Sequence, residues 1–182
     1  MGFCLLNNVA IAACHLLACH ALKRVAIVDF DVHHGNGTQH SFETRHDVLF
    51  ISLHQHPDTL YPGTGQAEET GLGAGRNCTL NVPMTPGGGD ADYLAAFRDK
   101  VMPALDRYQP QCLLVSAGFD AASADPLAQM EVTSAGFRAM TDQLVAAAER
   151  HCEGRLVSTL EGGYDLEALA DAAAGHVDGL LA

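Results

Sequence analysis

Three apolar runs in this chain each lead into polar residues and glycine. The runs are 24–30, 112–117 and 155–160, and each is rich in Val, Ile or Leu. Short, nearly continuous apolar runs are typical of parallel strands that are buried on both faces. The sequence therefore predicts a sheet whose strands deliver polar side chains to one edge.

Apolar residues at helical spacing separate these strands. We expect a further strand over 48–54 and helices over 8–22, 90–108, 134–152 and 166–181. Strands that alternate with helices indicate an α/β domain with a mostly parallel sheet and helices on both faces. Two stretches rich in Gly, Pro and Thr, 55–75 and 83–89, are expected to be irregular, and long loops of this kind are commonly functional.

Composition limits the class of protein. The chain has 182 residues, 48% of them hydrophobic, which suffices for one domain with a substantial core. A formal net charge of −12 disfavours nucleic acid and anionic membranes as partners and favours cationic ligands. The six cysteines show no C-x-x-C spacing, so we interpret them as reduced thiols of a cytoplasmic protein. Asn and His residues interrupt the apolar stretch 5–22, which we interpret as a core helix rather than a secretory signal or membrane span.

Cys14, His15, Cys19 and His20 lie within the first predicted helix. These residue types resemble the ligands of a zinc knuckle. A continuous helix offers no loop to wrap a metal, so we do not expect structural zinc there.

The most informative motif follows the run 24–30. Asp29, Asp31 and His33 alternate where the strand ends. Side chains at i, i+2 and i+4 share one face of a strand, so these three can converge. Carboxylate and imidazole ligands suit a hard or borderline divalent metal. Taken alone, the segment is also compatible with a solvated turn.

The other two runs lead into Asp120 and, after a Gly-Gly pair, Tyr164. In an open parallel sheet, ligands bind outside the carboxyl ends of the strands, so these groups can form one site with Asp31 and His33. Three ligands from this set would leave a fourth zinc position for water, as in hydrolytic sites. Tyr164 could then donate a hydrogen bond to a developing oxyanion. The alternative is that Tyr164 only caps the last helix.

Six segments, in this order, resemble the catalytic core of the histone deacetylase superfamily in its bacterial branch: GFCLLNN, VDFDVHHGNGT, ISLH, YPGTG, SAGFDA and EGGYD. They cover nearly the whole chain. The resemblance implies a three-layer arginase-deacetylase-like fold and a zinc-dependent amidohydrolase. Its substrate would be an acetyl-lysine peptide or a small acylated amine such as an acetylated polyamine, with no direct nucleic-acid or membrane partner.

The resemblance also implies residue roles. The implied zinc ligands are Asp31, His33 and Asp120, and the implied catalytic groups are Tyr164 as oxyanion donor and Asp29 as the carboxylate that supports the ligands. The implied substrate-binding residues are Gly2, Phe3, Tyr61, Gly162 and Gly163. Among these, Phe3 and Tyr61 would wall a narrow channel and the Gly2 carbonyl would accept the substrate amide. Without the resemblance, Phe3 and Tyr61 would be read as ordinary core or loop aromatics.

A structural potassium ion is a further implication of the resemblance. Its implied ligands are the side chains of Asp29 and Ser52 and the carbonyls of Asp31, His33 and Leu53.

One departure from the family pattern affects the expected activity. Family members carry a tandem His pair before the GFC segment as general base, and this sequence starts at GFC without it. His33 is assigned to the metal and His34 points to the opposite side, while nothing in the spacing of His54 and His56 brings them to the site. We therefore interpret residues 1–182 as a single, partial catalytic domain with one uncovered sheet edge, weakly active or inactive alone.

Two other functions remain open. An arginase-like ureohydrolase binds two Mn²⁺ ions and needs more carboxylates near the motif, whereas one Asp-x-His and one distant Asp fit a single zinc better. A non-catalytic metal-binding or interaction module would leave Tyr164 without an evident use.

Overall fold

A computed structural model describes residues 3–182 of the chain. The strands are β1 (Val25–Asp29), β2 (Val48–Gln55), β3 (Thr79–Met84), β4 (Cys112–Ala117) and β5 (Leu156–Leu160). They form one sheet in the order β3-β2-β1-β4-β5, and all four neighbouring pairs are parallel. The predicted parallel sheet is confirmed.

Within residues 3–182, six α-helices flank the sheet: α1 (Asn8–Cys19), α2 (Asn36–Phe42), α3 (Asp90–Ala96), α4 (Met102–Tyr108), α5 (Ser134–Cys152) and α6 (Leu166–Leu180). A π-helical turn, Phe97–Val101, joins α3 to α4, so the chain is helical throughout the predicted range 90–108. A short 3₁₀ turn spans Gly73–Gly75. The first helix ends earlier than predicted, because Ala21 has a φ of +55° and turns the chain.

The helices form a layer on each face of the sheet. Along β1, Val25 and Ile27 pack with α1 and α2, whereas Ala26 and Val28 pack with α3, α4, α5 and α6. The strand is buried on both faces, as its continuous apolar sequence predicts. The three-layer arrangement is therefore confirmed.

Two elements differ from the sequence-based expectation. β3 was not predicted, and its end overlaps the stretch 83–89 that was expected to be irregular. It contains Asn81 and Pro83, and both residue types are uncommon in strands. Pro83 pairs with His54 at the edge of the sheet, where a residue without an N–H is tolerated. α2 begins at Asn36 after a glycine, and the burial of Phe42 against the sheet stabilises it in spite of its turn-like sequence.

At the opposite edge of the sheet, β5 pairs only with β4 within residues 3–182. Val157 and Leu160 are 57% and 61% exposed there. Apolar side chains are therefore exposed on this edge strand of the described chain. Among its helices, none combines the length and apolar character required to cross a bilayer.

Candidate functional site

Three side chains meet at the carboxyl edge of the sheet. Asp31, His33 and Asp120 each offer one ligand atom within 4.8 Å of the other two. His33 Nδ1 lies 3.1 Å from Asp31 Oδ1 and 3.0 Å from Asp120 Oδ2. β1 ends at Asp29, so Asp31 and His33 belong to the loop that follows it, and Asp120 follows the neighbouring strand β4. Adjacent parallel strands thus bring together residues that lie 87 positions apart.

Backbone amides fix both carboxylates. The N–H of Val32 donates to Asp120 Oδ1 at 2.9 Å, and the N–H of Gly162 donates to Asp31 Oδ2 at 2.9 Å. The other oxygen of each carboxylate faces His33. Asp29 supports this arrangement from the end of β1, where its Oδ1 accepts the N–H of Asp31 at 3.1 Å. The ligand atoms are therefore oriented before any metal binds.

Two glycines of the motifs lie where the backbone passes close to the ligand carboxylates. A Cβ on Gly118 would overlap the side chain of Asp31, and a Cβ on Gly162 would overlap the carboxylate of Asp120. Both glycines follow strands that flank the site. Only glycine allows the backbone to pass this close to the carboxylates.

Ionisable side chains lie close together at the three ligands and the neighbouring Asp29. Burial and the neighbouring Asp31 raise the pKa of Asp29 well above its usual value, and burial chiefly raises the pKa of Asp120 to about 6. Burial alone would lower the pKa of His33, but hydrogen bonds to Asp120 and Asp31 outweigh it and raise that pKa to about 10. Without a metal, the His33 imidazolium is the cation that these carboxylates hold.

The donor set fits a divalent metal. Two carboxylates and one imidazole are ligands of Zn²⁺ and of related borderline ions, and three protein ligands leave one position open. A bound cation would also neutralise the carboxylate charge that otherwise keeps His33 protonated.

A cavity of about 610 Å³ opens beside these ligands. Phe3 and Tyr61 line it together with Asp31 and His33. Both aromatic side chains are exposed, at 83% and 58%, so neither belongs to the hydrophobic core. The buried Asp29 also borders the cavity.

Tyr164 lies next to the ligand group. Its backbone N–H donates to Asp125 Oδ2 at 2.7 Å, and its ring packs edge-to-face on Phe3 with centroids 5.8 Å apart. Burial, with the charges of Asp120 and Asp31, raises its pKa to about 12, so the phenol keeps its proton as a hydrogen-bond donor. The helix cap is Asp165, whose Oδ1 accepts the N–H of Ala168, and not Tyr164.

The remaining predicted site residues are Gly2, Gly163 and the potassium ligands Ser52 and Leu53. Gly2 lies outside the described residues. Ser52 sits opposite Asp29 in the register of β1 and β2, and its Oγ is 2.9 Å from His54 Nδ1. Leu53 is fully buried in β2, and Gly163 adopts a φ of +139° before Tyr164. The potassium site therefore stays a prediction.

A largely buried polar network that the sequence does not predict lies close to the loop that carries Tyr61. His34 contacts Gln39 Oε1 at 2.9 Å through Nε2, and Gln39 Nε2 donates to Glu69 at 2.6 Å. Asn81 of β3 donates to the same Gln39 oxygen at 2.8 Å. Gln39 and Asn81 are 42 positions apart and share no motif, so only the fold reveals their contact.

Comparison with known proteins gives consistent matches. The family model described as the histone deacetylase domain matches residues 1–180. The chain is 51% identical over 164 residues to a histone deacetylase-like amidohydrolase of Pseudomonas aeruginosa, covering 90% of the chain and 43% of that protein. It is 45% identical over 181 residues to the chloroplastic histone deacetylase 14 of Arabidopsis thaliana, covering 100% of the chain and 42% of that protein.

A solved structure agrees with these matches. The crystal structure of the HDA15 HD domain superposes with a TM-score of 0.93 at 46% identity, covering 100% of this chain and 51% of that one. The chain thus spans less than half the length of the curated relatives and about half of the solved domain.

Proposed function

Because this chain belongs to the histone deacetylase family, we propose that it forms the zinc-binding core of a deacylase. The reaction is hydrolysis of the amide in an acetyl-lysine peptide or a small acetylated amine. The observation that carries the proposal is the convergence of Asp31, His33 and Asp120 beside a cavity that Asp31 and His33 line together with Phe3 and Tyr61. The arginase-deacetylase fold and the family match support the same assignment.

The chain's own residues prepare the site for this chemistry. Zinc held by Asp31, His33 and Asp120 would lower the pKa of a bound water to about 7 and polarise the amide carbonyl. Tyr164, which keeps its proton, donates a hydrogen bond to the oxyanion that develops on that carbonyl. The amides of Val32 and Gly162 hold the carboxylates in place throughout.

We place the stem of the acyl-lysine substrate in the cavity. Phe3 and Tyr61 offer apolar ring surface to an aliphatic chain, and the ligands Asp31 and His33 line the same cavity. Net charge supports the choice of substrate class, because a chain at −12 attracts cationic peptides and polyamines. We assign Phe3, Tyr61 and Gly162, which line the cavity, to substrate binding on this basis, and Gly163 on the family resemblance alone.

We also expect the chain to hydrolyse the amide only slowly on its own. Two imidazoles that follow the motif, those of His34 and His54, are engaged elsewhere: His34 with Thr64 and Gln39, and His54 with Ser52 and Gly65. Neither has a free ring nitrogen with which to act as a general base beside the metal. General-base help is typically worth 10²–10⁴-fold, and residues 1–182 would lack that factor.

We also propose the potassium site, on the basis of the family resemblance and of the register between β1 and β2. Asp29 and Ser52 are paired positions of β1 and β2, and Leu53 follows directly. A monovalent cation between these strands would offset the buried charge of Asp29, whose pKa burial raises.

A two-manganese ureohydrolase is less well supported. Within residues 3–182, a single group of three ligand side chains meets the spacing for a metal, whereas two manganese ions would need further carboxylates in contact with it.

Zinc stoichiometry tests the proposal. The purified chain is loaded with zinc, dialysed and analysed for metal, alongside Asp120→Asn and the control Asp171→Asn, which alters an exposed carboxylate on α6. We expect about one tightly bound zinc in the parent and the control and none in Asp120→Asn, with slow, chelator-sensitive release of acetate from an acetyl-lysine peptide. A folded parent chain that retains no zinc, or a zinc-loaded chain with no trace of hydrolysis over the Asp120→Asn background, would overturn the assignment. Full turnover would instead contradict the proposed lack of a general base.

A further inference from the structure

The C-terminal end of α1 brings two imidazoles together. His15 Nε2 and His20 Nε2 are 3.3 Å apart, and the rings meet edge-to-face with centroids separated by 5.1 Å. In a continuous helix, positions 15 and 20 would point about 140° apart, since each residue turns the helix by about 100°. Here the helix ends at Cys19, the N–H of His20 closes the last turn on the Leu16 carbonyl, and Ala21 turns the chain. His20 is therefore free to fold back onto His15.

The spacing of the two nitrogens matches the spacing of metal ligands. Two imidazole nitrogens, each 2.0–2.1 Å from one zinc ion, lie about 3.3 Å apart at a tetrahedral angle. The present contact is a hydrogen bond in which one ring donates to the other. A metal that replaced this shared proton would require little movement of either side chain.

The surroundings leave both rings available. His15 and His20 are exposed, and within residues 3–182 their ring nitrogens make no hydrogen bond other than to each other. Cys19 is also exposed, whereas the Cys14 thiol lies 3.8 Å from Arg45 Nη1. Among the described residues, only Asp31, His33 and Asp120 form a group of three ligands, so water would complete the coordination at the histidine pair.

We propose that His15 and His20 form a second metal site, for divalent transition ions that prefer imidazole. Two nitrogen ligands with water suit Ni²⁺, Cu²⁺ and Zn²⁺, and do not suit Mg²⁺ or Ca²⁺, which take oxygen ligands. The site is separate from the cavity: Asn7 and Asn8 line the cavity at the start of α1, and His15 and His20 lie about 10 and 18 Å further along the helix axis.

A bound ion would cross-link the last turn of α1. Because it binds the folded helix end and not the unfolded chain, it raises the stability of the fold as its concentration rises. It would also appear as a second, weaker zinc ion when zinc is in excess over the chain. The inference does not depend on the proposed deacylase function, since neither histidine belongs to the cavity.

Nickel titration by calorimetry tests the site, because Ni²⁺ does not oxidise the exposed thiols. In the Asp120→Asn background, which removes the first site, we expect one Ni²⁺ per chain. His20→Ala in that background should abolish it, and His40→Ala, which alters an exposed imidazole on α2, should retain it. If Asp120→Asn does not fold, the parent chain should bind two ions and His20→Ala one. Equal nickel binding with and without His20 would overturn the proposal, whatever the outcome at Asp120.

Discussion

The backbone N–H of Gly162 donates a 2.9 Å hydrogen bond to Oδ2 of Asp31, 131 residues earlier in the chain. This bond joins the loop after β5 to the loop after β1, although β4 lies between the two strands. Asp120, which follows β4, packs against the same glycine. Gly162 thus holds the loop that carries Tyr164 against the carboxylates of both Asp31 and Asp120. The positions of these ligands and of Tyr164 therefore depend on this one glycine.

Gly162→Ala should weaken zinc binding. The new Cβ would overlap the Asp120 carboxylate and displace it from His33, and altered support of a ligand typically costs 10–100-fold in metal affinity. The measurement is competition with a chromophoric chelator. Gly175→Ala is the control, because a Cβ at that helical position meets only ordinary contacts of 3.4 and 3.6 Å. Unchanged affinity in Gly162→Ala would contradict the close approach.

Zinc binding should release a proton from His33 at pH 8. Its carboxylate partners raise the pKa to about 10, so the imidazole is protonated there before the metal binds. An ordinary imidazole, with a pKa near 6.5, would be almost fully neutral and would release almost none. Calorimetry in buffers of different ionisation enthalpy counts the released protons. Zinc-bound water, with a pKa of about 7, releases up to about one proton at pH 8, so a count near two includes the proton of His33. A count of one or less at pH 8 would show that His33 is neutral in the metal-free chain.

The sequence predicts those residues of the site that directly follow a strand. Asp31 and Asp120 each follow a continuous apolar run, and neighbouring parallel strands bring such residues to one edge. β3 was missed because its contacts at the sheet edge, not its propensity, make Asn81 and Pro83 part of a strand. Asp125, which accepts the N–H of Tyr164, was missed because a loop-to-loop hydrogen bond leaves no periodic signal.

Tyr164→Phe should reduce kcat while zinc affinity stays the same. The phenol is protonated at neutral pH, and the loss of one oxyanion donor typically costs 10²–10³-fold. Acetate release from an acetyl-lysine peptide gives kcat, and chelator competition gives the zinc affinity. Tyr108→Phe is the matched control, because the Tyr108 hydroxyl donates to the His46 carbonyl outside the cavity. Equal kcat values for the two variants would remove Tyr164 from the mechanism.

Val157→Lys should reduce self-association of the chain. Val157 is 57% exposed on β5, which has an unpaired edge within the described residues, and a charged side chain on such an edge discourages further strand pairing. Light scattering after size-exclusion chromatography gives the mass. Val177→Lys adds the same charge on α6, where Val177 is 49% exposed, and should leave any association unchanged. Equal effects of both substitutions would indicate that net charge, and not the strand edge, controls association.

The chain should lose stability between pH 7 and pH 5 in part through His54. This imidazole is fully buried, its Nε2 donates to the Gly65 carbonyl at 2.8 Å, and its Nδ1 accepts from Ser52 Oγ at 2.9 Å. Burial, with the neighbouring His34, lowers its pKa to about 4, so the folded chain keeps it neutral. The unfolded chain takes up a proton as the pH falls below about 6.5, which favours unfolding by about 2 kcal/mol at pH 5 relative to pH 7.

Urea unfolding of the metal-free chain at both pH values measures this loss. His54→Gln removes the titrating group and keeps a donor for the Gly65 carbonyl, so its stability should depend less on pH than that of the parent by about the same 2 kcal/mol. His33 and Asp120 titrate in both proteins, and the difference between parent and variant therefore isolates His54. An identical pH dependence in the two proteins would mean that the folded chain accepts a charged imidazole between Ser52 and Gly65.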